Sequence, residues 1–166
     1  MALVVEDGTG LETAQTYATV TQLKSFAAAR GLSVPSAQGD CEVLLVKAAD
    51  AMRGLPYKGE RVSKAQAMDF PRSGVCIDGF DYASAEIPVE IVHGQCALAV
   101  EAQTTDLLPT AAASAYGPVV QETVGPVSVS YAESGVSRST PLVQKARVFL
   151  AKVLRHGDNT MAIVRG

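Results

Sequence analysis

Apolar residues recur at helical spacing in four stretches of this chain. The most continuous is residues 88–104, PVEIVHGQCALAVEAQT. At about 100° per residue, Ile91, Leu98, Ala102, Ala99, Val92, Cys96, Val89 and Val100 fall on one broad arc. Glu90, Glu101 and His93 fall opposite, with Gly94 and Ala97 between them. An arc this wide needs cover from several directions, so the pattern predicts a central helix. Burying one large aliphatic side chain is worth about 1.5–3 kcal/mol, enough for a handful to anchor a small domain. Pro88 suits a first helical position, whose amide has no intrahelical partner. Gly94 and Ala97 would let another backbone approach closely.

Three further helices are predicted, over about 20–30, 41–53 and 141–156. Thr19 and Gln22 have capping-box spacing and Gly31 supplies a stop. Leu23, Phe26 and Ala27 mark that helix's inner face. Asp40 reads as the next N-cap and Gly54 as its terminator, with Leu44, Leu45, Ala48, Ala51 and Met52 inward. Thr140-Pro141 opens the last helix, which carries Leu142, Val143, Ala146, Phe149, Leu150, Val153 and Leu154 on one arc. Lys145, Lys152, Arg155 and His156 occupy another.

Alternation with period two appears in 119–131. Val119–Thr123 and Val127–Tyr131 flank Gly125-Pro126, with Val127, Val129 and Tyr131 on one side and Ser128 and Ser130 on the other, a hairpin pattern. A lone hairpin is marginal in water, so it must dock on the helices or join strands of another subunit. Ala2–Val5 and Met161–Val164 are short apolar runs, each a terminal strand or arm, with the tail spanning 158–166. Residues 107–118 read as an exposed loop. Residues 55–87 form a connector with little regular structure, in which Ser63 and Gln66 could cap one short turn over Ala65–Met68. A loop of about 30 residues is unusual inside a compact domain. Tyr57, Phe70, Phe80 and Tyr82 suggest that much of it is pinned to the body. The fold class expected is mainly α: a single domain over 1–166, a small bundle of about four helices with a hairpin and short terminal strands or arms.

The totals narrow this little. Within 166 residues there is no Trp, so the core must be built from Ala, Val and Leu. No apolar run approaches the roughly 20 residues of a membrane span. The start carries two acids and no basic segment, unlike a secretory signal. Charge is more informative by region than in total. Residues 1–68 hold seven bases and seven acids; 69–133 hold one base and nine acids, net −8; 134–166 hold six bases and one acid, net +5. Such a chain either pairs head to tail with copies of itself or leaves both poles solvated.

The inventory for chemistry is thin. His93 and His156 have no acid, Cys or His at metal-ligand spacing. No HExxH, GxSxG or Walker pattern occurs. Cys41, Cys76 and Cys96 form no CxxC pair, which indicates neither zinc nor a disulfide framework. Asp78 and Asp81 straddle Gly79-Phe80 without EF-hand spacing and read as solvated loop acids. No catalytic, cofactor-binding or metal site is expected, and no enzyme activity. The Lys145/Lys152/Arg155 face could touch phosphates. Single-stranded DNA would also want stacking platforms, yet the connector's aromatics lie in the neutral-to-acidic part of the chain.

Several segments together resemble one family. The opening ALVVEDGTGLETAQTYATVTQLKSFAAARG is similar to the N-terminus of a group of tailed-bacteriophage head–tail connector (adaptor, head-completion) proteins. AMDFPRSGVCIDGF followed by IPVEIVHGQCALAVEA resembles its most specific pattern, an aromatic-Pro-Arg-Ser-Gly-Val turn and then Ile-Pro opening an Ala-rich helix. Phe70, Pro71, Arg72, Ser73 and Gly74 form that turn here, with Phe70 where the family usually has Trp. The hairpin ETVGPVSVSYAES and the ending AIVRG fit as well. The resemblance covers most of the chain, less clearly 33–39 and 107–116. Some members are labelled DnaT-like single-stranded DNA-binding proteins, the alternative function.

The connector resemblance implies a structural protein of the virion neck, made in the host cytoplasm. Its subunits form a homo-oligomeric ring, a dodecamer, beneath the portal protein. The ring extends the channel for genomic DNA, contacted without sequence preference, and docks a downstream neck or tail-completion protein. No membrane partner is implied. Lys145, Lys152 and Arg155 become candidates for a subunit interface or the DNA channel. Val127, Val129, Tyr131, Ile163 and Val164 become candidates for contact with another chain.

Overall fold

Thr19 shows how directly local sequence sets the first helix. Its Oγ1 accepts from Gln22 N at 3.1 Å, and Gln22 Oε1 accepts from Thr19 N at 2.7 Å, so two orphan amides are satisfied reciprocally at the start of α1 (Val20–Ala28). Gly31, at φ +64, follows its C-terminus. The computed structural model describes residues 3–108, 121–124, 127–130 and 141–155; for 121–124, 127–130 and 141–145 the description is of the backbone.

α2 (Gln38–Met52) has Ala37, not Asp40, as its N-cap. Asp40 lies inside its first turn, where a carboxylate favours the positive end of the helix dipole without capping it. α3 (Val89–Glu101) has Pro88 as its N-cap rather than its first residue. α4 (Pro141–Leu150) stops short of the expected end, and residues 151–153 continue as turns. α3 packs against α1, α2 and α4 and is the central helix its pattern predicts. Ile91 of this helix and Leu23, Leu45, Leu150 and Phe70 are all fully buried in one core.

One of its residues corrects the helical wheel. Gly94, placed on the polar side, is buried under α4: a Cβ there would sit 2.5 Å from Leu150 Cδ2. The close approach allowed by the small residue is therefore made by the same chain. Gln95 is fully buried one position on. It donates to Thr16 Oγ1 at 2.7 Å and to Leu45 O at 2.9 Å, and accepts from Tyr17 N and Ala18 N at 2.9 and 3.0 Å. Its amide thus satisfies the backbone entering α1 and ties it to α2 and α3, removing the cost of a buried polar group.

The strands are short. β1 (Glu60–Arg61) pairs with β2 (Arg72–Ser73), β3 (Cys76–Ile77) with β4 (Phe80–Asp81), and β5 (Gln121–Val124) with β6 (Val127–Ser130), all antiparallel. The β5–β6 register runs from Gln121 opposite Ser130 to Val124 opposite Val127, as the alternation predicts. Ile77 and Phe80 flank a two-residue turn in which Asp78 and Gly79 both have positive φ, 52° and 87°. Asp-Gly is favoured there because both central residues of this turn must be left-handed. The N-terminal arm lies alongside the loop before α1, with a parallel bridge between Val5 and Thr16.

The helical bundle and hairpin stand, but helices cover only about a third of the chain, so the expectation of a mainly α protein is corrected. α3 and α4 are shorter than expected, and the connector, read as irregular, is ordered by ribbons and side-chain hydrogen bonds. No helical turn forms at Ala65–Met68; Ser63 N instead donates to Gln66 Oε1 at 2.9 Å. Leu107, expected in an exposed loop, is buried. Tyr131, Thr140, His156 and the tail with Ile163 and Val164 lie outside the described residues, as do the side chains of Val127, Val129 and Lys145.

Candidate functional site

The connector is anchored by the turn the resemblance singles out. Phe70 is fully buried, and its ring meets Tyr17 and Tyr57 edge-on at centroid distances of 6.5 and 5.3 Å. Its amide donates to Tyr17 Oη at 3.0 Å. Burial pushes the Tyr17 and Tyr57 phenols up, so both stay neutral hydrogen-bonding groups. The Phe70–Pro71 peptide is cis, and Pro71 O accepts from Gln66 Nε2 at 3.0 Å. Gly74, at φ +70, follows β2 in a backbone conformation that glycine adopts without strain. Phe70, Pro71 and Gly74 are thus structural: they fold the connector onto the body.

Arg72 does this too, and in doing so helps build a charged site. Its Nε donates to Lys58 O at 2.8 Å, Nη2 to Gly59 O at 2.7 Å and Nη1 to Asp69 O at 3.3 Å. Gly59 has φ +70, and a Cβ there would lie 2.2 Å from Ser73 O. Only glycine lets β1 and β2 meet in this way. The β1–β2 register then sets Arg61 directly opposite Arg72.

A third arginine arrives from beyond α4. Lys58 N donates to Val153 O at 2.9 Å and Arg155 N to Pro56 O at 2.7 Å, around a bridge between Tyr57 and Leu154. Arg155 Nη2 thereby reaches Gly59 O at 3.2 Å, the carbonyl that Arg72 also uses. Burial lowers the Arg72 guanidinium below its usual value; the Arg155 and Arg61 charges push the same way, against the pull of Asp69. Arg61 and Arg155 are exposed, and Lys58 is half-buried beside them.

Of the residues nominated from sequence, Arg155 belongs to this site. Lys152 points elsewhere: Nζ meets Asp78 Oδ2 at 2.5 Å in an exposed ion pair. Its acidic partner, expected on a neighbour or in DNA, is supplied by its own chain. Ser73 is exposed on β2, its Oγ 3.5 Å from Glu60 O. Lys58 and Arg61 were missed, because nothing in their local sequence announces the pairing across β1–β2. The Asp78-Gly79 dipeptide was an available hairpin signal. Its product is a ribbon tip carrying Phe80, 75% exposed, with Lys58 Nζ donating to the ribbon at Cys76 O, 3.3 Å.

Among the described residues no group of three His, Cys, Asp or Glu side chains is placed to hold a metal ion, and no helix is long and apolar enough to cross a membrane. A buried carboxylate does explain the acidic Gly-bearing turn near the start. Glu6 accepts from Gly8 N, Gly10 N and Leu11 N at 3.0, 2.8 and 2.9 Å. A Cβ at Gly8 would sit 2.0 Å from Ala85 O, so this turn also helps hold the end of the connector. Both elements of the resemblance, opening turn and Phe70–Gly74 turn, are therefore parts of one scaffold.

No curated protein and no solved structure matches the chain. One family does, along residues 1–166, under the description "Putative DnaT-like ssDNA binding protein". A match over the whole length leaves no part of this scaffold unaccounted for, and the chain belongs to that family.

Proposed function

We propose that this chain is a structural subunit of a bacteriophage neck, a head–tail connector that assembles with copies of itself into a ring under the portal protein. The ring, a dodecamer by resemblance, extends the DNA channel and docks the next neck or tail component; the subunit performs no catalysis. One observation carries the reading. Among the described elements β5 and β6 come against each other and against no other helix or strand. A two-stranded ribbon needs a third layer to be stable in water. A neighbouring chain would supply it, with Val127 and Val129 as the face it covers.

The measurement that tests this is native mass spectrometry of the purified chain, alone and with its portal protein. A ring, or a stoichiometric complex with the portal, is the expected result. A monomer that remains monomeric with the portal present would sink the connector reading.

A second reading, single-stranded DNA binding, is favoured by a different observation: the convergence of Arg61, Arg72 and Arg155, together with the family's description. Salt-sensitive binding to an oligonucleotide by a chain that forms neither ring nor portal complex would favour it over the first.

A further inference from the structure

The arginine cluster has an energetic peculiarity. Like charges directly opposite each other on paired strands destabilise the pair, yet the fold places Arg61 opposite Arg72 and brings Arg155 onto the carbonyl that Arg72 already uses. Two guanidinium nitrogens at 2.7 and 3.2 Å from one oxygen lie within about 6 Å of each other. The Asp69 carboxylate, whose charge favours the Arg72 guanidinium, accepts from Gly54 N at 3.3 Å, and among the described residues it makes no ion pair with the three arginines. Of the five N–H donors on each guanidinium, Arg155 and Arg61 each commit one to a backbone carbonyl among the described residues, Gly59 O and Gln66 O. Positive charge is concentrated, held by neutral acceptors, and left with donors to spare.

We propose that Arg61, Arg72 and Arg155 form a binding site for the backbone phosphates of DNA. A phosphate offers several acceptor oxygens and takes two guanidinium forks at once, which would turn the repulsion within the cluster into attraction. The site is open: Arg61 and Arg155 are exposed, and Lys58 and the Phe80 ribbon continue the surface to one side. That suits a polymer lying across it better than a small enclosed anion. The inference rests on the DNA contact that both functional readings contain, duplex in a channel or single strand on a surface. Phe80 distinguishes them, because an exposed ring can stack on an unpaired base and not on a closed duplex.

The test uses the full chain, a labelled oligothymidylate and a labelled duplex of equal length, titrated at several salt concentrations. Arg72 is left alone because it also holds the connector. Arg61→Gln and Arg155→Gln should each weaken binding several-fold and reduce the salt slope by about 1, which is the signature of one lost phosphate contact. Both variants should melt no lower than the parent without DNA, since each relieves repulsion. Phe80→Ala should weaken only the single-strand arm if single strands are the ligand, and neither arm if the site lines a duplex channel. If the parent binds DNA and the two glutamine variants keep its affinity and salt slope, the site is wrong while the DNA reading survives. If the parent binds neither probe, the DNA reading itself fails. Variants that melt lower in step with lost binding, or that lose self-assembly in a parent blind to DNA, would overturn the site as well, making the arginines structural or partners of a neighbour's acids.

Discussion

Two regions of this molecule look opposite in sequence and in structure. Residues 55–87 read as a long irregular loop, yet Tyr57, Met68, Phe70, Val75 and Ile77 are all buried, and Gln66 and Arg72 bind its turns to one another. The β5–β6 hairpin has the clearest strand pattern in the chain and forms the longest strands among the described residues, but packs on no other described element. Regular local structure and anchoring are therefore separate properties. A hydrogen-bonded ladder needs only the residues within it. Anchoring needs side chains that reach elements far away in sequence, as Phe70 does at Tyr17, 53 residues distant.

The contrast can be broken most directly at Phe70. Phe70→Ala should cost about 3–5 kcal/mol, measured by denaturant unfolding, because it empties a fully buried site between two tyrosines. A loss under about 1 kcal/mol would mean that the connector is not held by this ring. Val129→Asp in the hairpin should do the reverse. The isolated chain should keep its stability within about 0.5 kcal/mol, as for other changes outside a packed core, while ring or portal complex disappears from the mass spectrum. Lost stability in the monomer would show that the hairpin rests on its own body.

The smallest effect is expected at Lys152, where the basic end of the chain meets the β3–β4 ribbon. The hydrogen bond and charge of Asp78 raise the Lys152 ammonium above the usual lysine value. A cation with a raised folded-state value contributes its stability below the unfolded value, so the contribution is complete at neutral pH and fades only in strongly alkaline solution. Both partners are exposed, so Lys152→Met should lower the melting temperature only slightly at pH 7. The difference should vanish at high salt or high pH; a difference that persists at high salt would assign it to packing instead. Cysteine labelling gives a milder check of the same surface. Cys76 on the ribbon is exposed and should react with a thiol reagent in the native state. Cys41 is buried, and burial pushes the Cys96 thiol up to about 12, so both should react only after unfolding.

Two features are satisfied within the chain itself. Lys152 finds Asp78, and the linker folds back onto its own helices, as its aromatics Tyr57 and Phe70 predict. Gly94 makes the same point at smaller scale, since its closeness serves Leu150 of α4 rather than another copy.

The sequence by itself determined the elements whose causes are local. The capping box of α1, the apolar arc of α3, the glycine stops after α1 and α2 and the alternation of β5–β6 all depend on neighbours within a few residues, and each appears close to where its pattern puts it. Tertiary structure decided the rest. The helical pattern assigns Gln95 no role until Thr16, Tyr17 and Leu45 close around it, and Arg61, Arg72 and Arg155 are unrelated until Gly59 brings them together. Burial of a polar group and clustering of like charges depend on partners dozens of residues away. A periodic pattern carries no information about which distant carbonyl will meet which guanidinium.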